Sequence, residues 1–242
     1  TLAADDDAPL DARVAAMLAR SKIAVARSRP TGTVAVIFAM WGEHHRLRPR
    51  SDDNPTGEDA LRVKLDQLDW LLADSDLTWQ LLPVDDGCPH GSASIASDMA
   101  AQHPLGDRVT VLSLPDALPA TAGPLAGLAS ADDSRKGGAL ILGAIHALAH
   151  DADAIVFTDA DNSVDLGQLG LLVEPWAAGT PVVLGDRKSG GAVLVKQEDR
   201  WGPGIVVLRH LQRMVGRSIF SRGILDTQAA FKLYDREATE AI

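Results

Sequence analysis

Apolar residues recur along this chain in two alternating rhythms. At the start Leu10, Val14, Met17 and Leu18 fall at helical spacing, which predicts a leading helix over 10–28. The period then changes, and TVAVIFA (33–39), rich in β-branched residues, predicts the first core strand. GEHHRLRPRSDDNPTG (42–57) is polar and punctuated by Pro and Gly, so a loop is expected. Residues 58–74 return to the helical period, with Leu61, Leu65, Leu68 and Leu72 on one face. TWQLLPV (78–84) predicts a second strand, 92–102 a helix and RVTVLSL (108–114) a third strand. Residues 115–133 hold Pro, Ala and Gly without a period and read as a long loop. A helix over 134–150, a strand over 153–158, a strand over 181–187, a helix over 204–220 and a strand over 229–235 complete the pattern.

Strands alternating with helices imply an α/β fold, a mostly parallel central sheet flanked by helices. No Gly/Ser-rich or Pro-rich linker divides the 242 residues, so a single domain is expected. In such sheets ligands sit outside the carboxyl ends of the strands. That rule gathers Asp85, Asp86, Asp159, Asp161, Asp186 and Arg187 at one rim.

Charge narrows the ligands. The formal net charge is -10 and the pI about 5.0, which argues against a general nucleic-acid binder. An anionic ligand must then be held by a few local cations, a metal or backbone N–H groups. Cys88 is the one cysteine, so no internal disulfide can form and a reducing compartment fits. No stretch is long and apolar enough to span a bilayer, and TLAADDDAPLDARVAAML lacks a signal peptide's basic-then-apolar order. A cytoplasmic location is expected.

Four segments carry candidate chemistry. AIVFTDADNS (154–163) ends an apolar run in Asp159 and Asp161, two carboxylates that repel unless a divalent cation such as Mg²⁺ lies between them. The plainer reading is an Asx-type turn, or a cap from Asp161 or Ser163 on a helix starting near Asp165. VDDGCPHGS (84–92) suits a nucleotide, whose ribose hydroxyls or base N–H a carboxylate can accept, and reads equally as an Asp-Gly turn. SRKGGALILGAIHAL (134–148) puts Arg135 and Lys136 at a helix N-terminus, where cations oppose the dipole unless an anion is present. A solvated basic turn is the alternative there. GDRKSGG (185–191) places Arg187 after a strand and before glycines. His44, His45 and His90 have no recognised metal-ligand spacing. The helix over 204–220 carries Arg209, Arg213 and Arg217 on a stripe beside its apolar one, which reads either as a solvated basic face or as a peripheral contact with a membrane.

The order of these segments is more specific than any one of them. MWGE (40–43), VDDGC (84–88), RKGGA (135–139), DAD (159–161), GDR (185–187) and DTQAAFKLYDREA (226–238) follow one another as in the family-2 glycosyltransferases of the GT-A type. The chain most resembles the polyprenyl-phosphate (dolichyl-phosphate) glucosyl- and mannosyltransferases, from about residue 33 to the end. The resemblance implies a GT-A domain over 31–242 after an N-terminal helical extension over 1–30. It implies that Glu43 and Asp86 hold the nucleotide, Asp85 supports their turn and Lys136 lies near the nucleotide or diphosphate. Asp159 and Asp161, the DXD motif, would bind Mg²⁺ or Mn²⁺ on the diphosphate, and Arg187 would face phosphate. Asp226, Thr227 and Gln228 would line the sugar and acceptor side, with Asp226 the candidate base for a hydroxyl acceptor. The donor would be a UDP-, GDP- or dTDP-hexose. The acceptor would be a polyprenyl phosphate or a small metabolite.

The chain departs from the pattern in lacking the usual Asn in MWGE and in having Cys88 in place of Ser. The family's domain commonly runs on past the Asp-Thr-Gln segment, so the C-terminal end is expected to be incomplete. A sugar nucleotidyltransferase would want a Gly-rich basic loop after the first strand, which FAMWGEHHRL does not supply. A haloacid-type phosphohydrolase would carry its Asp-x-Asp on the first strand, followed by Gly-Thr. A non-catalytic nucleotide-sugar-binding protein and the haloacid-type phosphohydrolase are the alternatives.

Overall fold

The computed structural model of the chain describes residues 5, 7–134, 136–189, 191–193, 214, 216, 221–224 and 226–242. Six strands form one sheet among the described residues: β1 (Gly32–Met40), β2 (Leu77–Asp85), β3 (Leu112–Ser113), β4 (Ala154–Phe157), β5 (Val182–Leu184) and β6 (Lys232–Asp235). Their order is β3-β2-β1-β4-β6-β5. β1 runs parallel to β2 and β4, β2 parallel to β3, and β6 antiparallel to β4. The helices are α1 (Leu10–Ser28), α2 (His44–Leu47), α3 (Ala60–Leu72), α4 (Ser92–Gln102), α5 (Lys136–Ala149), α6 (Gly170–Ala177) and α7 (Arg236–Glu240).

Contacts divide the chain into two compact units, Leu18–Val183 with Ala230–Ile242, and Thr1–Met17 with Leu184–Ala229. The first has an apolar core on each face of the sheet. Because successive strand side chains point to opposite faces, Val34, Val36, Phe38 and Met40 of β1 join the core that includes Leu61, Leu65 and Leu68 of α3. Ala35 and Ile37 join the other core, beneath Ala139, Ala144 and Ala147 of α5. From Val34 to Met40 β1 is therefore apolar, as a strand buried on both faces must be. α5 lies close on the sheet because Gly143 has no Cβ: one built there would sit 2.5 Å from Ile37 Cγ2 and 3.2 Å from Val84 Cγ2.

Several elements differ from the sequence expectation. The run 108–114 pairs as a strand only at Leu112–Ser113, with a lone bridge from Val109 to Leu81. It lies at the sheet edge, where a single neighbour supplies ladder partners. The loop expected over 42–57 contains the short helix α2, pinned by the fully buried Leu47. After β4 the cap is Asp165, whose carboxylate accepts Gly167 N–H at 2.8 Å, and not Asp161 or Ser163. Past β6 the chain turns into α7, capped by Asp235 accepting Ala238 N–H at 2.7 Å.

Among the described residues no helix is long and apolar enough to cross a membrane. The helix expected over 204–220, with Arg209, Arg213 and Arg217, lies outside the described residues except for Met214 and Gly216, and Arg135 lies outside them too.

Candidate functional site

β1, β2 and β4 run parallel, so their carboxyl ends reach one rim, with Met40 opposite Asp85 and Ile37 opposite Phe157. β1 is also where the strand order turns: β2 lies on one side of it and β4 on the other. A crevice opens at such a switch point. There a cleft of about 210 Å³ is lined by Ala39, Trp41, Glu43, Asp86, Lys136, Asp159, Ala160 and Asp161. Five residues singled out from the sequence, Glu43, Asp86, Lys136, Asp159 and Asp161, thus converge. Each follows a strand of the sheet or opens the helix α5.

The charges are unequal. Four carboxylates and one ammonium line the cleft. Lys136 begins α5, where the helix dipole disfavours a cation, and its ammonium donates to the Asp159 carboxylate. Both side chains of this pair are substantially exposed, at 54% and 35%. Asp161 accepts Ser163 N–H at 3.2 Å in an Asx-type turn. Burial pushes the Asp161 carboxyl up, but hydrogen bonds from Ser163 and the charges of Arg46 and Lys64 outweigh it and bring the group below its ordinary 3.8.

Behind the cleft stand residues that motif reading passed over. Lys64 of α3 is fully buried. Its Nζ donates to the Asp161 carbonyl at 2.7 Å and to Asn162 Oδ1 at 3.3 Å. Burial lowers its ammonium to about 8, against the upward pull of Asp161, Glu58, Asp159 and Glu43. Glu58 accepts Asn162 N–H at 2.8 Å, and Arg46 bridges Glu43 at 2.9 Å and Glu58 at 3.3 Å. One sequence signal pointed here: Lys64 falls on the apolar stripe of α3, beside Leu61, Leu65 and Leu68.

Asp85 does not line the cleft. It is buried, and its carboxylate accepts Cys88 N–H at 3.3 Å, closing the turn that Gly87 permits with φ +76°. Burial raises the Asp85 carboxyl, opposed by the Cys88 and Gly87 N–H groups. Cys88 Sγ in turn accepts Gly42 N–H at 3.2 Å and His90 N–H at 3.4 Å, and it meets Ser92 Oγ at 3.1 Å. This thiol fastens the segment carrying Trp41 and Glu43 to the turn carrying Asp86.

Arg187, Asp226 and Gln228 belong to the other compact unit. There Asp226 is buried and receives Arg187 Nε at 2.7 Å, Arg187 Nη2 at 2.8 Å, Arg187 N–H at 3.1 Å and Gln228 N–H at 3.1 Å. The Arg187 guanidinium, above all, holds its carboxyl well below the usual carboxylate range.

Among the described residues no three His, Cys, Asp or Glu side chains form a ready-made metal site. The cleft does present hard oxygen donors on Asp159 and Asp161. Such a pair fits a Mg²⁺- or Mn²⁺-type ion whose remaining ligands come from water and a substrate's phosphates.

No protein-family model matches the chain, and no curated protein sequence does. Solved structures do. A crystal structure of a mycobacterial protein superposes with TM-score 0.50 and 20% identity, over 91% of this chain and 57% of the other. At that identity the likeness is one of fold. Mannosyl-3-phosphoglycerate synthase from Rubrobacter xylanophilus gives TM-score 0.49 and 19% identity over 91% of this chain and 56% of its own. A mannosyltransferase from Pyrobaculum calidifontis in complex with GDP-Man and Mn²⁺ gives 0.34 and 19% over 63% and 37%. The chain spans a little over half the length of the first two.

Proposed function

We propose that this chain is a metal-dependent glycosyltransferase that moves a hexose from a nucleotide diphosphate sugar to an acceptor, with inversion at the anomeric carbon. The observation that carries the reading is the convergence of Glu43, Asp86, Asp159 and Asp161 with Lys136 in one cleft at the strand ends. Among the described residues, four carboxylates against one ammonium would repel a diphosphate alone. The same cleft attracts a diphosphate that arrives with a divalent cation. The ordered motifs shared with the polyprenyl-phosphate glycosyltransferases support the same reading.

In this reading Asp86 and Glu43 accept hydrogen bonds from the nucleoside, through ribose hydroxyls or base N–H groups. Asp159 and Asp161 hold the Mg²⁺ or Mn²⁺. When bound, the ion neutralises charge that grows on the departing diphosphate. Lys136 leaves Asp159 for the diphosphate and adds a cation on the leaving-group side, where electrostatic stabilisation usually dominates. The acceptor attacks from the opposite face of the sugar.

For Arg187, Asp226 and Gln228 the sequence resemblance would imply roles toward sugar and acceptor. Asp226 is stabilised as an anion by four donors and is therefore a weak proton acceptor. Its role is to hold Arg187, which favours an acceptor that brings its own negative charge, such as a polyprenyl phosphate, over a neutral hydroxyl.

A thermal-shift panel of UDP-, GDP- and dTDP-hexoses with and without Mn²⁺ tests the reading. One donor class should raise Tm only with the metal, and Asp161→Ala should abolish the shift. No shift with any donor refutes it.

A further inference from the structure

We infer that Lys64 is a positioning residue that aims the Asp161 carboxylate at a divalent cation, acting from behind the cleft without touching the ligand. This rests on the proposed donor site and extends it to a residue outside the motifs.

Lysine is almost never fully buried unless paired, yet Lys64 is, within a stripe of leucines. Among the described residues no contact ion pair meets its cost. The ammonium donates instead to the main-chain carbonyl of Asp161 and the amide oxygen of Asn162. It lies 5.5 Å from the centre of the Phe38 ring. β4 ends at Phe157, so residues 161–162 have no ladder hydrogen bonds to fix them. Lys64 and Glu58 take over that task. Glu58 receives the Asn162 N–H through its carboxylate and the Asn162 Nδ2 through its main-chain carbonyl, at 2.8 and 3.0 Å. Arg46 then ties Glu58 to Glu43 on the cleft wall. Two acidic loops from distant parts of the chain are thereby held in one register.

The sign of the effect separates positioning from charge. The Lys64 ammonium repels a cation, so deleting charge alone would tighten metal binding. Deleting the support loosens it. Lys64→Met is expected to weaken Mn²⁺ binding roughly 10-fold, the usual scale for a partner that orients a metal ligand. Asn162→Ala, which changes no charge, should weaken it in the same direction and keeps the test open should Lys64→Met fail to fold.

The experiment is an electron paramagnetic resonance titration of Mn²⁺ against wild type and both variants, with and without UDP, GDP or dTDP, reading the free-ion spectrum as it disappears. Folding is checked by circular dichroism. Support is weaker Mn²⁺ binding in a folded variant whose nucleotide affinity at saturating Mn²⁺ is unchanged. If both variants bind Mn²⁺ as tightly as wild type or more so, or lose nucleotide affinity at saturating Mn²⁺ equally, the inference is overturned while the donor site stands. If no nucleotide diphosphate strengthens Mn²⁺ binding to wild type, the proposed function falls and this inference with it.

Discussion

Lys136→Met should change metal affinity in opposite directions depending on whether a nucleotide diphosphate is present. Without ligand, Lys136 donates to Asp159 and competes with any cation for that carboxylate. The side chains are 54% and 35% exposed, so the pair is worth about 0–1 kcal/mol. Removing the ammonium should therefore tighten Mn²⁺ binding to the free protein by up to about fivefold. With the diphosphate bound, the same ammonium becomes one of its few cationic partners. Losing a charged hydrogen bond costs about 1.5–3 kcal/mol, so Mn²⁺-dependent nucleotide binding should weaken roughly 10- to 100-fold. Mn²⁺ titration by electron paramagnetic resonance measures the first effect, and calorimetric titration of the nucleotide at saturating Mn²⁺ the second. If Mn²⁺ binds the free variant more weakly, Lys136 does not compete with metal. If nucleotide affinity is unchanged, Lys136 does not leave Asp159 for the diphosphate.

Three further outcomes follow from the packing and the hydrogen bonds. Gly143→Ala places a methyl 2.5 Å from Ile37 Cγ2; an overpacking cost of about 1–3 kcal/mol exceeds a helix-propensity gain of up to about 1 kcal/mol, so a urea titration should show net destabilisation, and added stability would contradict the close approach of α5. Cys88→Ala removes the acceptor for Gly42 and His90 N–H groups and should weaken nucleotide binding by about 1 kcal/mol, whereas Cys88→Ser, which keeps an acceptor, should fall between alanine and wild type in the same calorimetric titration; equal affinities for all three would show that the thiol does not hold this wall. Asp226 is depressed in the folded state, so the stability it contributes is fully present above its ordinary 3.8 and drains away as the pH falls toward the lower native value; Asp226→Asn should lower Tm at neutral pH and flatten its decline below about pH 4, and parallel Tm–pH curves for the two proteins would refute this.

The parts of this molecule legible in the sequence are those that local pattern determines. From Val34 to Met40 β1 needs apolar residues because both faces are covered, and the run announces that without any neighbour being known. Asp159 and Asp161 stand out because a strand-end rule converts a position along the chain into a place on a rim. The 108–114 run shows the limit: its β-branched residues favour extension, but pairing needs a partner strand in register, and at the sheet edge there is one only at Leu112 and Ser113 beyond the Val109 bridge. What Lys64 and Glu58 hold was illegible for a related reason. Lys64 stands out on the apolar stripe of α3, but Asn162, which both side chains meet, lies 98 and 104 residues further along the chain.

Burial grades the three cations around the acidic cleft, and the grading suggests a division of labour. Lys64 is wholly enclosed and grips main-chain and amide oxygens, so it cannot leave without unfolding the loop it supports. Arg46 is one-third exposed and shared between Glu43 and Glu58, which restrains it to the cleft wall. Lys136 is the most exposed and holds a single carboxylate, so a better anion can draw it away at little cost. A site that must admit a diphosphate together with its metal needs both kinds of charge. Fixed cations keep mutually repelling carboxylates in place while the cleft is empty of ligand. In the proposed function, a displaceable one would yield its carboxylate to the metal and follow the phosphate. If all three were exposed, the two acidic loops would splay apart. If all three were buried, no carboxylate could be released.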